Sequence, residues 1–592
     1  MAIYAPTTSP HALHTALHSS RIHFWLTHEG TQFAIRLVAA TVAVLSGAVT
    51  ATVMPRGPVT TNHALLLIVI GLATGLTVAF LMRSRWAMLA APAIHLTVFE
   101  LLRRNETGPT VDGPTFDNAY GVLTLLLGRG VYVLLGIAPM IIGAAYGAGL
   151  ARWLLQENPG TTGSGVASNV RRAIGALATV GMIGLVIRIV RPASVAPVTG
   201  PDGESIDGSI AELLAVNLGG HEQWIQVRGA SERLPILLYI SGGPGQSDLA
   251  LSRVLLNNLT RDFIMVGWDQ RGNGKSYPSL DSESLTLERA VDETIELSEF
   301  LCKRFGQERV YVLGESWGST LGVLAAQKAP HLYYAYIGSG QMVSQRVTDQ
   351  IIYDDLLAWA ETNSDEELAD TLRDVGPPPY ESLWMYAEVA MHYDKLAAEY
   401  DPPQAYLDRA EAGDVGPWGV LGSEYTAIDS VNVVRGLADT FFVMYPQLQE
   451  IDFRTDVPAL KMPVYLLEGE HELRGRLELA EEWFSMLEAP RKEIYILPNA
   501  GHAPAFEHAD EFHRILLEEV LPGTYPAAWA TGIEVHPRIA ARAIRGCRIG
   551  DTRASIACIT NVMEKGKQGL CAESPSFQEA PIRNWQKRYA ST

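Results

Sequence analysis

VYVLGESWGS, residues 310–319, reads as a strand, a tight turn and the start of a helix. Val310 to Leu313 is a short β-rich run, and Ser319 to Lys328 carries a helical pattern. Between them Gly314-Glu315-Ser316-Trp317-Gly318 sets a serine on a strained turn. Glycines two residues to either side are required there, because any side chain would collide with the neighbouring strand and helix. Such a turn lifts the serine oxygen out of a sheet, where it can attack a bound substrate.

Further short β-rich runs alternate with helical ones on both sides of it, at Trp224 to Val227, Ile236 to Ile240, Ile264 to Trp268, Tyr333 to Ile337, Val464 to Leu467 and Glu493 to Leu497. That alternation predicts a mostly parallel sheet with helices on both faces, the α/β-hydrolase arrangement, and such sheets place ligands beyond the carboxyl ends of their strands. Ser241-Gly242-Gly243-Pro244-Gly245 follows directly on Ile236 to Ile240. The Gly243 N–H, with that of Trp317, is the candidate oxyanion hole, each donor contributing about 3 kcal/mol to the transition state. Gly501-His502 follows the last strand and supplies the expected base. The acid belongs after Val464 to Leu467, in Glu468-Gly469-Glu470-His471-Glu472. Glu472 ends a Gly-x-x-acid turn and is favoured, with Glu470 the alternative; either would orient and stabilise the imidazole.

SGGPG, WDQRGNGKS (Trp268 to Ser276), GESWGS, GEHE and NAGH, in that order, resemble the signature of the prolyl aminopeptidase (proline iminopeptidase) family of α/β-hydrolases over roughly residues 210 to 522. The resemblance implies Ser316 as nucleophile, His502 as base, Gly243 and Trp317 as oxyanion donors, and Asp269-Gln270-Arg271-Gly272 as a structural turn near the site. The chain departs from the family with Ser241 in place of His, Glu315 in place of Gly and Glu472 in place of Asp. These departures bear on the substrate more than on the reaction class. The helical, acidic and aromatic insertion from about 341 to 456 fits a lid. In the family, lid carboxylates bind the substrate's free amino group; Glu388 and Glu424 are the candidates here, and Trp359, Trp384 and Trp418 could line a pocket or form lid core.

The front of the chain is of another kind. Residues 1–191 hold 13 Arg, no Lys and 6 acids, a net +7, against −26 for the remainder. An overall charge of −19 excludes a general nucleic-acid binder, which needs a basic face. A bilayer core about 30 Å thick needs roughly 20 apolar residues in a helix. Leu37 to Met54, Ala64 to Met82 and Gly130 to Ala151 meet that rule, the last with Pro139 inside it; Ala87 to Leu102, with His95 and Glu100, and Ala173 to Val190, with Arg188, meet it less cleanly. Four or five spans are expected in a transmembrane region, 1–191, followed by a linker (192–208), the hydrolase domain (209–522) and a poorly ordered tail (523–592). His11, His14 and His18 share a helical face but lack an acid or Cys at ligand spacing, which favours an interfacial segment over a metal site. Cys302 stands apart from Cys547, Cys558 and Cys571, so neither a disulfide framework nor a zinc site is expected.

The expectation is a membrane-anchored serine hydrolase without metal or cofactor, acting through an acyl-enzyme as an aminopeptidase on short peptides. An esterase, lipase or amidase would share the same triad. An inactive receptor or scaffold is disfavoured by the intact Ser316 and His502, and epoxide hydrolases and dehalogenases by the serine in place of Asp. The partners expected are a small peptide or acyl/amide substrate and the lipid bilayer; the oligomeric state is left open. Five spans with the amino terminus inside would leave Arg21, Arg36, Arg83, Arg85, Arg152, Arg171 and Arg172 in the cytoplasm and the hydrolase domain outside it; four spans would reverse the result.

Overall fold

The computed structural model describes residues 29–54, 56–111, 116, 119–155, 166–200, 202–397 and 399–525. The three amino-terminal histidines, the three tail cysteines and the tail beyond 525 lie outside the described residues, as does the side chain of Trp418. Two compact units divide at Ala509. The described part of the second unit is a run of helical turns through Leu516–Val520 and Leu521–Thr524, with Arg514 reaching Glu511 and Glu518 along it.

The first unit begins with a helical bundle: α1 (Glu29–Val53), α2 (Thr61–Met82), α3 (Ala87–Leu102), α4 (Ala119–Leu154) and α5 (Val166–Val190). Thr31–Val53, Thr61–Met82, Ala119–Leu154 and Asn169–Val190 are long and apolar enough to cross a membrane, and Ala87–Leu102 is a shorter apolar helix. Two packed clusters show how they run. One joins Ala51 at the end of α1, Ala64 at the start of α2, Phe99 at the end of α3, Tyr132 in the first half of α4 and Ile189 at the end of α5. The other joins Ala39, Val78, Ala87 and Ala148 from the opposite halves of the first four helices. The chain therefore traverses the bundle five times in alternating directions.

Close packing inside the bundle depends on small residues. A Cβ on Gly75 would stand 1.9 Å from the Met140 carbonyl oxygen, so α2 and α4 approach backbone to backbone. The polar residues of α3 are satisfied internally. His95 is fully buried with Ser46 Oγ 2.8 Å from Nδ1 and Tyr132 Oη 2.7 Å from Nε2, and Glu100 meets Arg129 at 3.1 Å. Just before Pro139, α4 widens into a π turn at Val133–Ile137, where the missing proline N–H interrupts the ordinary helical ladder.

Eight strands follow: β1 (Ile210–Leu218), β2 (His221–Gly229), β3 (Ile236–Ile240), β4 (Ile264–Asp269), β5 (Val310–Glu315), β6 (Tyr333–Ser339), β7 (Val464–Gly469) and β8 (Lys492–Leu497). They form one sheet in the order β1-β2-β4-β3-β5-β6-β7-β8, antiparallel at β1-β2 and β2-β4 and parallel elsewhere. Every residue of β3, β4, β5 and β7 is buried, as expected where both faces of a parallel sheet are covered. The helices α6 (Leu287–Phe305) and α7 (Trp317–Lys328) flank the nucleophile strand in sequence; α6 is amphipathic, capped by Thr286 and ended by the left-handed Gly306. β1 has no counterpart among the β-rich runs of the sequence. Its marker is the pair Gly219-Gly220, both with left-handed φ (58° and 82°), the two-residue turn that closes a hairpin with β2.

Between β6 and β7 the lid comprises chiefly α8 (Gln345–Thr362), α9 (Glu366–Val375), α10 (Leu383–Ala390), α11 (Gln404–Gly413) and α12 (Ala427–Met444). It has its own core around Ile352, Leu356, Leu368, Leu372 and Tyr380. α12 is the joint with the bundle. Arg435 donates to the carbonyls of Arg56 and Pro58, and Asn432 donates to that of Val59 at 2.8 Å. Asp439 accepts from the Thr110 N–H (3.0 Å), the Thr110 hydroxyl and the Tyr277 hydroxyl (2.7 Å). The stretch after α5 is pinned too: Arg228 donates to the Ala196 and Pro197 carbonyls, and the Ser194 N–H bonds Ser423.

Candidate active site

Ser316 sits between β5 and α7 with φ 52° and ψ −120°, a strained conformation for a residue with a Cβ. A Cβ on Gly318 would stand 2.1 Å from the Ile240 carbonyl oxygen, which is the collision the glycine avoids. The turn is tied down by Ser316 N–H to the Ser339 carbonyl (3.0 Å) and by the Ser319 hydroxyl to the Ser316 carbonyl (2.5 Å).

Three side chains line up from that serine. His502 Nε2 lies 2.9 Å from Ser316 Oγ, and His502 Nδ1 bonds the Glu472 carboxylate. Glu472 follows β7 in the turn before α13 (Arg474–Met486), where its other oxygen accepts from the Leu473 N–H (2.7 Å) and from Arg476 (3.1 Å). Burial alone would push this carboxyl up. The charges of His502 and Arg476 and the bonds it accepts outweigh burial and hold it down at about 2. Glu470 instead faces away, exposed, and accepts from the Asn499 N–H at 3.2 Å. Glu468 is buried and accepts from the Gln341 N–H, with burial first and the Glu472 charge second raising its pKa.

The Ser241 to Gly245 loop lies against the serine: a Cβ on Gly242 would be 3.2 Å from Ser316 Cβ. Gly243 has φ 112°, open to glycine and strained for other residues. Trp317 is the first residue of α7, so its N–H has no intrahelical acceptor and is available to a ligand. Gln270 joins the two donor-bearing segments. Its amide accepts from the Trp317 indole (3.0 Å) and donates to the Ser241 carbonyl (3.0 Å). Ser241, which departs from the resembled family, closes the loop by donating to the Gln246 carbonyl at 3.0 Å.

Glu315, the second departure, lies beneath this loop near Tyr239 and Asp248; the Tyr239 hydroxyl donates to Asp248 at 2.8 Å. Burial pushes both carboxyls up, and the neighbouring Asp248 and Glu472 charges push Glu315 further, so the pair is held toward its protonated form. Glu507 orders the loop around the base by accepting from the Gly501 and Ala503 N–H groups that flank His502.

The lid candidates are placed differently. Glu424 is fully buried, paired with Arg253 and bonded by Gln226 at 3.1 Å, so its charge is already compensated. Glu388 is half-buried on α10. Trp384 is half-buried on α10, and Trp359 packs against the lid's own core with Lys395 over its ring. Gln270 belongs to the turn expected near the site, whereas Arg476 and Glu507 were not anticipated from the sequence. Only Arg476 had a marker, its position four residues after Glu472. Among the described residues no group of three or more His, Cys, Asp or Glu is arranged to hold a metal ion.

Residues 235–414 match the family described as alpha/beta hydrolase fold. Over 309 residues the chain is 26% identical to a Bacillus subtilis protein named "Probable aminopeptidase YbaC", covering 52% of this chain and 96% of that one. It is 22% identical to a proline iminopeptidase of Heyndrickxia coagulans over 281 residues, 47% of this chain and 88% of that one. A solved proline iminopeptidase-related protein of Thermus thermophilus is 22% identical, with a TM-score of 0.37, over 54% of this chain and 99% of that one.

Proposed function

The domain that follows the bundle has the α/β-hydrolase fold and the chain is a hydrolase, and from that premise we propose a membrane-integrated serine hydrolase that removes amino-terminal residues from short peptides through an acyl-enzyme. The observation that carries the chemistry is the line Ser316 Oγ, His502, Glu472, with 2.9 Å at its first contact. His502 Nε2 takes the hydroxyl proton as Oγ attacks the substrate carbonyl. The oxygen of the tetrahedral intermediate is received by the N–H groups of Gly243 and Trp317. His502 then gives the proton to the leaving amine, and water, deprotonated by the same nitrogen, releases the acyl group. Glu472 keeps Nδ1 protonated and stabilises the imidazolium; Arg476 holds Glu472 in place.

The aminopeptidase assignment is supported by the names of the relatives above and by the ordered motifs that resemble that family. Membrane integration is supported by the four long apolar helices and by the outward apolar face of α5, where Ile174, Leu177, Val180, Ile183 and Ile187 are all exposed. The full chain, purified in detergent, is tested with a fluorophosphonate and then with aminoacyl amides, their N-acetylated forms and acyl esters. Labelling at Ser316 and turnover restricted to free amino termini are expected. Equal rates on free and acetylated substrates would transfer the function to an esterase or amidase.

A further inference from the structure

At the end of α5 the chain passes from an apolar helix to Arg188, in the last turn, and then to Arg191. Both arginines are exposed, and neither has a hydrogen-bonding or ion-pair partner among the described residues. They line a cavity of about 220 Å³ whose opposite wall is the lid segment leading into α12, including Tyr425 and Thr426. Arg253 also lines it, but its charge is matched by Glu424. One acid, Asp414, stands exposed on the rim. Arg188 in the last turn of α5 and Arg191 just beyond its end line the same cavity, which suits them to one shared anion.

The anion has a definite character. Two unpaired guanidiniums match the oxygens of a phosphate group, which they bind in pairs of charged hydrogen bonds. At about 220 Å³ the cavity has room for a phosphate and part of its substituents. Its position selects among phosphates: the neighbouring face of α5 (Ile183, Ile187, Val190) is exposed and apolar, a seat for acyl chains immediately beside the cations. The opposite wall is closed by the Ser194 N–H on the Ser423 carbonyl and by the Thr426 capping box that starts α12.

We propose that this cavity binds the phosphate of an anionic phospholipid headgroup, held by Arg188 and Arg191 at the junction of bundle and lid. The site rests on the reading of α5 as a membrane helix, and the test separates the two. Full-length protein in detergent micelles is examined by native mass spectrometry with added phosphatidylglycerol or phosphatidylcholine, alongside alkaline carbonate extraction of the source membranes. One retained phosphatidylglycerol per chain is expected, weakened about tenfold or more in R188Q/R191Q, partly kept in R188K/R191K, and unchanged in R152Q, whose arginine lies at the other end of the bundle. Because both arginines are exposed, the substitutions leave the fold intact, which retained fluorophosphonate labelling would verify. Equal phosphatidylglycerol retention by R188Q/R191Q would overturn the site while leaving the membrane reading standing, and release of the chain by carbonate would overturn both. Displacement of the lipid by millimolar inorganic phosphate would assign the arginines to a free anion and overturn the lipid source.

Discussion

Ser316, His502 and Glu472 make a contiguous line, and each predicts a distinct measurement. Ser316→Ala is expected to abolish turnover and fluorophosphonate labelling while leaving the thermal transition in place, since Ala fits the turn and lacks only the attacking oxygen. Labelling that survives on another serine would refute the nucleophile. Glu472→Gln is expected to lower kcat by about 10⁴, the cost when the corresponding acid of a serine protease is made an amide. Glu470→Gln is expected to leave it nearly unchanged, because Glu470 faces Asn499; the reverse order of effects would exchange the two roles. Glu472 also carries a pH signature. Its folded pKa is depressed, from 4.5 to about 2, so its contribution to stability is complete above the unfolded value and is lost as pH falls through about 2. The shift corresponds to about 3 kcal/mol. The melting-temperature advantage of the wild type over Glu472→Gln is therefore expected to shrink between pH 5 and pH 2, and a constant difference across that range would contradict the assignment.

At the scale of elements, α12 is where the two halves of the first unit are fastened. Asp439 accepts three donors, the Thr110 N–H and hydroxyl and the Tyr277 hydroxyl. Asp439→Ala would leave buried donors without acceptors, at about 1 to 3 kcal/mol each. The expected result is a fall in thermal stability of a few kcal/mol together with faster amide exchange around residues 108–111; unchanged exchange there would show that the joint does not depend on Asp439. No sequence pattern marks Asp439 for this role, because its partners lie 329 and 162 residues away. Elements with a local signature were legible. β3 occupies the predicted run Ile236 to Ile240, and the elbow lies in its predicted strand, turn and helix. β1 escaped because Ile210 to Leu218 lacks strict alternation, and its burial follows from pairing with β2.

For the whole molecule, the decisive question is the parity of the bundle. α3 has 16 residues, about 24 Å at 1.5 Å per residue, short of a full bilayer core by length alone. Yet α2 ends in the cluster of Val78 and Ala87, whereas Phe99 and Tyr132 lie together in the other, so α3 must carry the chain back across the bundle. On the membrane reading proposed above, five passes would set the start of α1 and the hydrolase domain on opposite sides, and the arginine bias would then place the hydrolase domain outside the cytoplasm. Protease treatment of intact cells carrying an amino-terminal tag is expected to remove the hydrolase domain and spare the tag. Protection of both, or loss of both, would contradict five passes.

The sequence by itself determined what depends on neighbours along the chain: the apolar helices, the elbow glycines, the order serine, acid, histidine, and the turn in which the acid lies. Those features are local because a helix period, a tight turn or a strand end constrains residues only a few positions apart. Tertiary structure decided everything that depends on residues distant in sequence. It brought Glu472 rather than Glu470 to His502, paired Glu424 with Arg253, satisfied His95 inside the bundle, and set two unpaired arginines opposite the lid. For Glu472, Glu424 and His95 the outcome is fixed by which polar group finds a partner on burial, since an unpaired buried polar group or charge is costly and the partner comes from a remote segment; the exposed arginines need none and stay open to a ligand.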